Sequence, residues 1–425
     1  MTSEHRRALA RMCCALCGAA QIASARVSRK KSRLMLTHLK VFTPTHATPH
    51  PHRSYYESSV FSGPPEMANH QLAVSAVAAA AALGVAYYIF RRARGGLHVS
   101  LAELDEIVDP HHHYFDYKTN SFHSFLEANA MPKCLHLPSM YLRDIGRLPV
   151  RTSVHVEAIP DTGLEEVTWL DALANSSAVA DVVCEGIVAS WNPATKDVAA
   201  LDAIVKAAPR RVRGIRWICN YDGALAAGES YVASRATWPR VEANFFLEGA
   251  AITKAFEEGL RLLSERGLSF DLQANPAQLE GAAKMLAKLP SLRVVVDHIG
   301  TPRDLKLDGS AVDDAELKKW RDGMQRLAAL PNVYVKLSMV NYAVGGCFDD
   351  PARASHARAL VREVIELFGA RRCMFNSNWP VDGPEHGGPT MERLYSAYAA
   401  WTADLPLADR KRLFAGTARE FYKLM

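Results

Sequence analysis

The chain has 425 residues, of which 49% are hydrophobic and 22% charged, with 50 Lys and Arg against 45 Asp and Glu. This composition excludes wholesale disorder and collagen-like repeats, and the length is ample for a buried core. The net charge of +5 is lopsided: residues 1–96 carry 13 Lys/Arg against three acids, which leaves the rest mildly acidic and argues against a nucleic-acid surface on the main domain.

Residues 1–66 are rich in Arg, Ser, Thr, Pro and His and show no sustained period of helix or strand. Two readings fit: an organelle-targeting segment, or a disordered extension upstream of a second start at Met67. Gln71 to Phe90 carries no charge, and as a helix it spans roughly 30 Å, the thickness of bilayer hydrocarbon. Tyr87 and Tyr88 sit near its end, and Arg91, Arg92 and Arg94 follow at once. The expectation is a single membrane anchor within 67–96. With Met67 as the start, the arginines place the C-terminal domain on the cytosolic side; with residues 1–66 retained, the orientation signal is contradictory. The eight cysteines are scattered, without a disulfide framework or a paired Cys-x-x-Cys pattern, which points to a reducing compartment.

From Ile107 onward, short apolar runs alternate with amphipathic stretches. The predicted strands are Ile107–His111, Ser153–Ala158, Val182–Val188, Val212–Ile218, Ser269–Gln273, Arg293–Asp297, Val333–Leu337 and Cys373–Asn376. Most read as continuous apolar runs, as strands buried on both faces do. Helical spacing marks Ile252–Arg266, Pro276–Lys288, Ala315–Leu330 and Ser355–Phe368. Eight such strands over residues 97–425 predict an α/β fold, a (β/α)₈ TIM barrel following the tail and the anchor helix. A doubly wound sheet is the competing architecture, but neither a dinucleotide fingerprint nor a Walker A motif is present.

Catalytic groups in such barrels sit at the C-terminal ends of strands. Those ends read Asp109-Pro-His111-His112-His113, His155-Val-Glu157, Arg213-Gly-Ile-Arg216, Asp271-Leu-Gln273, Asp297-His298-Ile-Gly300, Lys336-Leu-Ser338 and Asn376-Ser-Asn378-Trp379-Pro380. With Asp-x-His-x-His after the first strand, Asp-His-x-Gly after the sixth and Ser-Asn-Trp-Pro-Val-Asp after the eighth, the chain resembles the amidohydrolase superfamily. Within it, the amidohydrolase 2 group of sugar-acid lactonases, sulfomuconolactone hydrolases and 2-pyrone-4,6-dicarboxylate lactonase is the nearest in pattern, from about Glu106 to Tyr422. The resemblance implies a hydrolase that opens a lactone or related cyclic ester. The alternatives are a decarboxylase of an aromatic or unsaturated acid, and a barrel that has lost activity.

On a strand, His111 and His113 share one side and His112 faces the other. His111, His113 and His298 are therefore the expected catalytic histidines and the expected ligands of a divalent metal, zinc or manganese; a metal-free site that polarises the carbonyl with imidazoles is equally open. Typical metal-dependent relatives carry a histidine after the fifth strand and an aspartate after the eighth, where this chain has Gln273 and Asn378. A neutral amide neither deprotonates water nor suits Zn²⁺. Asp382 is the substitute base, and Glu157 or Glu185 is a further carboxylate for a metal. Arg213 and Arg216 are candidates for holding an oxyanion, with only one of them needed in the site. Glu157, Gln273, Asn378 and Trp379 are expected to bind substrate, and Trp191 and Trp217 either line the pocket or pack in the core. The expected partner is a small lactone-like molecule, with no nucleic acid. The substrate and the oligomeric state are not legible.

Overall fold

Each of the eight apolar runs contributes to a parallel strand. The structure, a computed structural model, describes residues 99–128, 135–221, 223, 243–303, 305–307 and 311–425. The strands are β1 (Ile107–His112), β2 (Val150–Val156), β3 (Gly186–Ser190), β4 (Val212–Ile218), β5 (Ser269–Gln273), β6 (Val294–Val296), β7 (Val333–Leu337) and β8 (Cys373–Phe375). They pair in chain order in one parallel sheet. The seam between β8 and β1 is closed beyond the end of β8: the His113 N–H donates to the Trp379 carbonyl at 2.7 Å, and the Asn378 N–H donates to the His111 carbonyl at 2.8 Å. The fold is the expected (β/α)₈ barrel.

One predicted strand is displaced. Val182, Val183 and Cys184 lie in a helix, Ala180–Cys184, and the strand begins at Gly186. A short apolar run looks the same whether it is a buried helix or a buried strand, so the composition of 182–188 did not locate the boundary.

Outside the sheet, the helices bury their apolar faces against the strands in one large core. Inside the barrel, Val108, Val154, Val156, Val188, Val295 and Met374 form an apolar floor with Ala418, Phe421 and Tyr422 of the helix Thr417–Tyr422. Period-2 alternation gives these strands a second set of inward positions nearer the C-terminal end, and polar residues fill it.

The predicted tail (1–66) and anchor (67–96) lie outside the described residues. Among the described residues no helix is long and apolar enough to cross a membrane. Cys184, Cys219, Cys347 and Cys373 are free and buried.

Candidate active site

The loops leaving the strand C-termini carry unusual backbone. Ile159 after β2, His298, Ile299 and Thr301 after β6, Met339 after β7 and Asn378 after β8 all have positive φ, between 47° and 58°. Left-handed backbone at non-glycine residues costs of order 1–3 kcal/mol each, and such residues cluster where geometry serves function.

Two side-chain networks diverge from β1. A register irregularity lies between Asp109 and His112. Asp109 and His112 both face outward to Tyr141: Tyr141 Oη donates to Asp109 at 2.8 Å, and the His112 ring lies 4.7 Å from the Tyr141 ring. His111 and His113 face inward, with Nε2 atoms 3.2 Å apart, and the His298 ring centroid lies 4.7 Å from that of His111. The three sequence-predicted histidines thus meet at one end of the barrel. Burial drives all three toward the neutral imidazole, and nearby cations reinforce this; His298 is lowered to about 3.

Their partners fix the tautomers. His113 Nδ1 is 2.7 Å from the Val156 carbonyl, which can only accept, so the ring proton is on Nδ1 and Nε2 carries a lone pair. His111 lies between two donor-only cations, with Nδ1 3.2 Å from the Lys336 ammonium and Nε2 3.5 Å from Arg216 Nη1; the shorter contact assigns the lone pair to Nδ1 and the proton to Nε2, facing the His113 lone pair. His298 Nδ1 bonds Ser338 Oγ at 2.9 Å.

Arg216, on β4, enters the same space. Its Nε donates to Glu157 Oε1 and its Nη2 to the Glu157 carbonyl, both at 2.6 Å; Nη1 reaches Gln273 Oε1 at 3.3 Å and lies 3.5 Å from His111 Nε2. Burial opposes the guanidinium charge, but Glu157 and Asp297 outweigh it and raise its pKa. Burial pushes Glu157 up to about 7 against the pull of Arg216. Glu157 and Gln273 therefore orient Arg216 through Oε1 of each, while Glu157 Oε2 accepts the Ile159 N–H at 2.8 Å.

Arg213, Glu185 and Trp379 lie away from the site, and Trp191 takes the core alternative. Arg213 is the second residue of β4, at the opposite end of the barrel; its electrostatic partner is Glu185, which precedes β3 and accepts the Met425 N–H at 2.5 Å. Neither Arg213 nor Glu185 reaches the histidines. Trp379 points away from the barrel interior: Nε1 donates to Asp144 at 3.0 Å and the ring packs edge-on against Tyr114, Tyr141 and His136. Trp191 is likewise core, donating to the Asp197 carbonyl. Arg213→Gln should accordingly leave kcat/KM within about twofold of wild type, as a surface change does. A loss of a hundredfold in steady-state assays would return Arg213 to the site.

Asp382 meets the imidazoles only through Asn378. Its Oδ2 accepts the Met339 N–H at 2.7 Å and its Oδ1 faces Asn378 Nδ2 at 3.2 Å, while Asn378 Oδ1 lies 3.3 Å from His113 Nε2. Burial raises Asp382 to about 7, against those two hydrogen bonds.

The sequence reading left out Asp297, Lys336, Asp271 and Ser338. Asp297 follows β6, fully buried; Oδ1 lies 3.6 Å from His111 Nδ1 and Oδ2 3.8 Å from Arg216 Nη1. Asp271 joins Lys336 at 2.5 Å and accepts from Tyr422 Oη at 2.7 Å.

Residues 108–424 match the amidohydrolase family, Amidohydro_2. The chain belongs to that family. A Sinorhizobium fredii protein of uncharacterised function is 27% identical over 75% of this amidohydrolase and 98% of its own length. L-fucono-1,5-lactonases of Burkholderia ambifaria and Burkholderia multivorans are each 30% identical over 40% of the chain, a match that spans 54% and 56% of their lengths. A zinc-bound amidohydrolase structure from Burkholderia multivorans shares the fold, with TM-score 0.57 and 21% identity over 75% of this chain and 99% of that one. So does a 2-pyrone-4,6-dicarboxylic acid hydrolase from Pseudomonas putida, with TM-score 0.51 and 19% identity over 75% of this chain and 97% of that one.

For a divalent metal, the donor atoms gathered here come from His111, Asp297 and His298, all within 4.8 Å of one another. His113 is not in this group. Two histidines and a carboxylate are suitable zinc chemistry. The space beside them is not suitable: the Lys336 ammonium is 3.2 Å from both His111 Nδ1 and Asp297 Oδ1. A ligand nitrogen must offer a lone pair, and this one faces a cation. An ion bridging His111 Nδ1 and Asp297 Oδ1 therefore does not fit beside the Lys336 ammonium.

Proposed function

We propose that this amidohydrolase opens a lactone of the sugar-acid type by attack of water on a carbonyl held by Arg216 and His111. The observation that carries the reading is the convergence of an N–H of His111, the Arg216 guanidinium and the unprotonated Nε2 of His113 at one barrel mouth. Two donors near one point suit a developing oxyanion. In the resting site the His111 N–H faces the His113 lone pair; when the substrate carbonyl takes that N–H, His113 Nε2 is released to take the proton of the attacking water, with its ring steadied by the Val156 carbonyl. The imidazolium formed then protonates the departing ring oxygen. His298, tied to Ser338, completes the wall of the site. The lactonase names of two relatives support this substrate class.

The test is a pH-indicator screen of γ- and δ-lactones of sugar acids with the purified chain. The expected result is acid release from at least one lactone, lost on changing His113. Carbon dioxide release from an unsaturated acid with no lactone opened would favour a decarboxylase, and neither reaction would mark an inactive barrel.

We further propose that residues 71–90 tether the enzyme to a membrane with the barrel in a reducing compartment, on the uncharged run and its arginine flank. The full chain should sediment with membranes on ultracentrifugation, and a chain beginning at residue 97 should not. A full-length chain left in the supernatant would remove the tether.

A further inference from the structure

We propose that Lys336 is a built-in cation standing where a divalent metal would bridge His111 and Asp297, and that it positions His111 as a neutral N–H donor. The second half rests on the role given to His111 above; the first half does not.

Lys336 lies within the run Val333-Tyr-Val-Lys-Leu337 of β7 and is fully buried. An ammonium left alone there would be very costly. It hydrogen-bonds Asp271 Oδ2 at 2.5 Å and His111 Nδ1 at 3.2 Å, and its charge lies 3.2 Å from Asp297 Oδ1 in an ion pair. Tyr422 Oη bonds Asp271 Oδ2 from below. Two buried cations, Lys336 and Arg216, stand among three buried carboxylates, Asp271, Asp297 and Glu157. Lys336 is therefore not a lysine that has strayed into a metal centre. Two of its protons have hydrogen-bond acceptors, Asp271 Oδ2 and His111 Nδ1, and its charge pairs with Asp297.

The position matters as much as the satisfaction. His111 Nδ1 and Asp297 Oδ1 are 3.6 Å apart, the separation of two ligands on one small ion. An ion bonded to both at about 2 Å would lie within about 4 Å of the Lys336 nitrogen on either side of the line joining them. Like charge at that distance in a buried space is strongly disfavoured. The lysine also takes up the Nδ1 lone pair that an ion bridging to Asp297 would need. With that lone pair engaged, the proton of a neutral His111 must sit on Nε2, next to Arg216 Nη1. A bound metal commonly polarises a carbonyl directly; here the fixed ammonium acts through an imidazole, and the donors to the oxyanion are His111 and Arg216.

The test compares the full chain with Lys336→Met, which keeps length and bulk without the charge. Protein purified from zinc-supplemented culture is analysed by inductively coupled plasma mass spectrometry and titrated with zinc chloride by calorimetry. The wild type should hold far less than one zinc per chain. Lys336→Met should take up one and bind it at least about tenfold more tightly, since His111, Asp297 and His298 are then free to ligate. Should Lys336→Met fail to fold, the wild-type metal content decides together with ¹⁵N NMR of the histidine rings, where His111 should show a protonated Nε2 and a bare Nδ1. One tightly held zinc in the wild type, a protonated His111 Nδ1, or a folded Lys336→Met that binds zinc no better would each overturn the proposal. None of these readouts uses a substrate, so the lactone screen can fail while the proposal stands, and the reverse.

Discussion

Replacing His113 by glutamine should lower kcat/KM by roughly 10²–10⁴, about 3–5 kcal/mol of transition-state stabilisation, with little change in thermal stability. Glutamine is chosen because its amide N–H is able to keep the bond to the Val156 carbonyl that His113 Nδ1 now makes, while it has no lone pair basic enough to take a proton from water. His111→Ala should lose a similar factor by removing an N–H donor to the oxyanion. The double variant should be little worse than either single one, because groups that act on one transition state are non-additive. A plain structural role predicts otherwise: losses that track the melting temperature and sum in the double variant. Activity of His113→Gln within about tenfold of wild type would remove His113 as the base.

How much of this was legible in the sequence depended on whether a residue's phase along its strand was visible. The barrel was legible because eight strands buried on both faces leave apolar runs that little else produces. His111 and His113 were legible because two histidines two apart on a strand share a face whatever the boundaries. Arg213 and Arg216 were not separable, since three positions along a strand put one of them at each end only when the strand spans Val212–Ile218, as it does. Glu185 misled because the run before it was helix, which placed it at the entrance to β3 instead of its exit. Lys336 carried a signal that went unread: a lysine inside Val-Tyr-Val-Lys-Leu cannot be buried alone, so it required carboxylates nearby, and Asp271 and Asp297 already stood on the neighbouring strand ends. The contact chain from Asp382 through Asn378 to His113 depends on a left-handed turn at Asn378, and no pattern in the sequence announces it.

That contact predicts the pH profile. Burial raises Asp382 from its ordinary range to about 7, so both of its protonation states occur near neutrality. When it is ionised, it holds the Asn378 amide N–H, and His113 Nε2 keeps its lone pair for water. When it is protonated, its O–H donates to the amide oxygen; the amide turns over, and its N–H then occupies His113 Nε2. Only the first state has a free base. The kcat/KM should therefore fall about tenfold per unit as pH drops below about 7 and level off above it. Asp382→Asn should remove that step, because an asparagine there accepts from Asn378 at every pH. Glu157 also titrates at about 7 and its ionised form pairs with Arg216, so any step that survives in Asp382→Asn should vanish in Glu157→Gln. Stability gives an independent reading with the opposite slope. Between the ordinary value of 3.8 and about 7, the folded chain holds the Asp382 proton and the unfolded chain does not, so this group's contribution to stability declines as pH rises through that window. Denaturant titrations should show Asp382→Asn gaining on the wild type from about pH 4 to about pH 7 and holding a constant lead beyond. Asn378→Asp should do the reverse, since a second buried carboxylate beside Asp382 raises one pKa further and lowers activity at neutral pH. A wild-type kcat/KM that stays flat for about two units on either side of 7 would detach Asp382 from the chemistry and leave it a buried support for the Met339 turn.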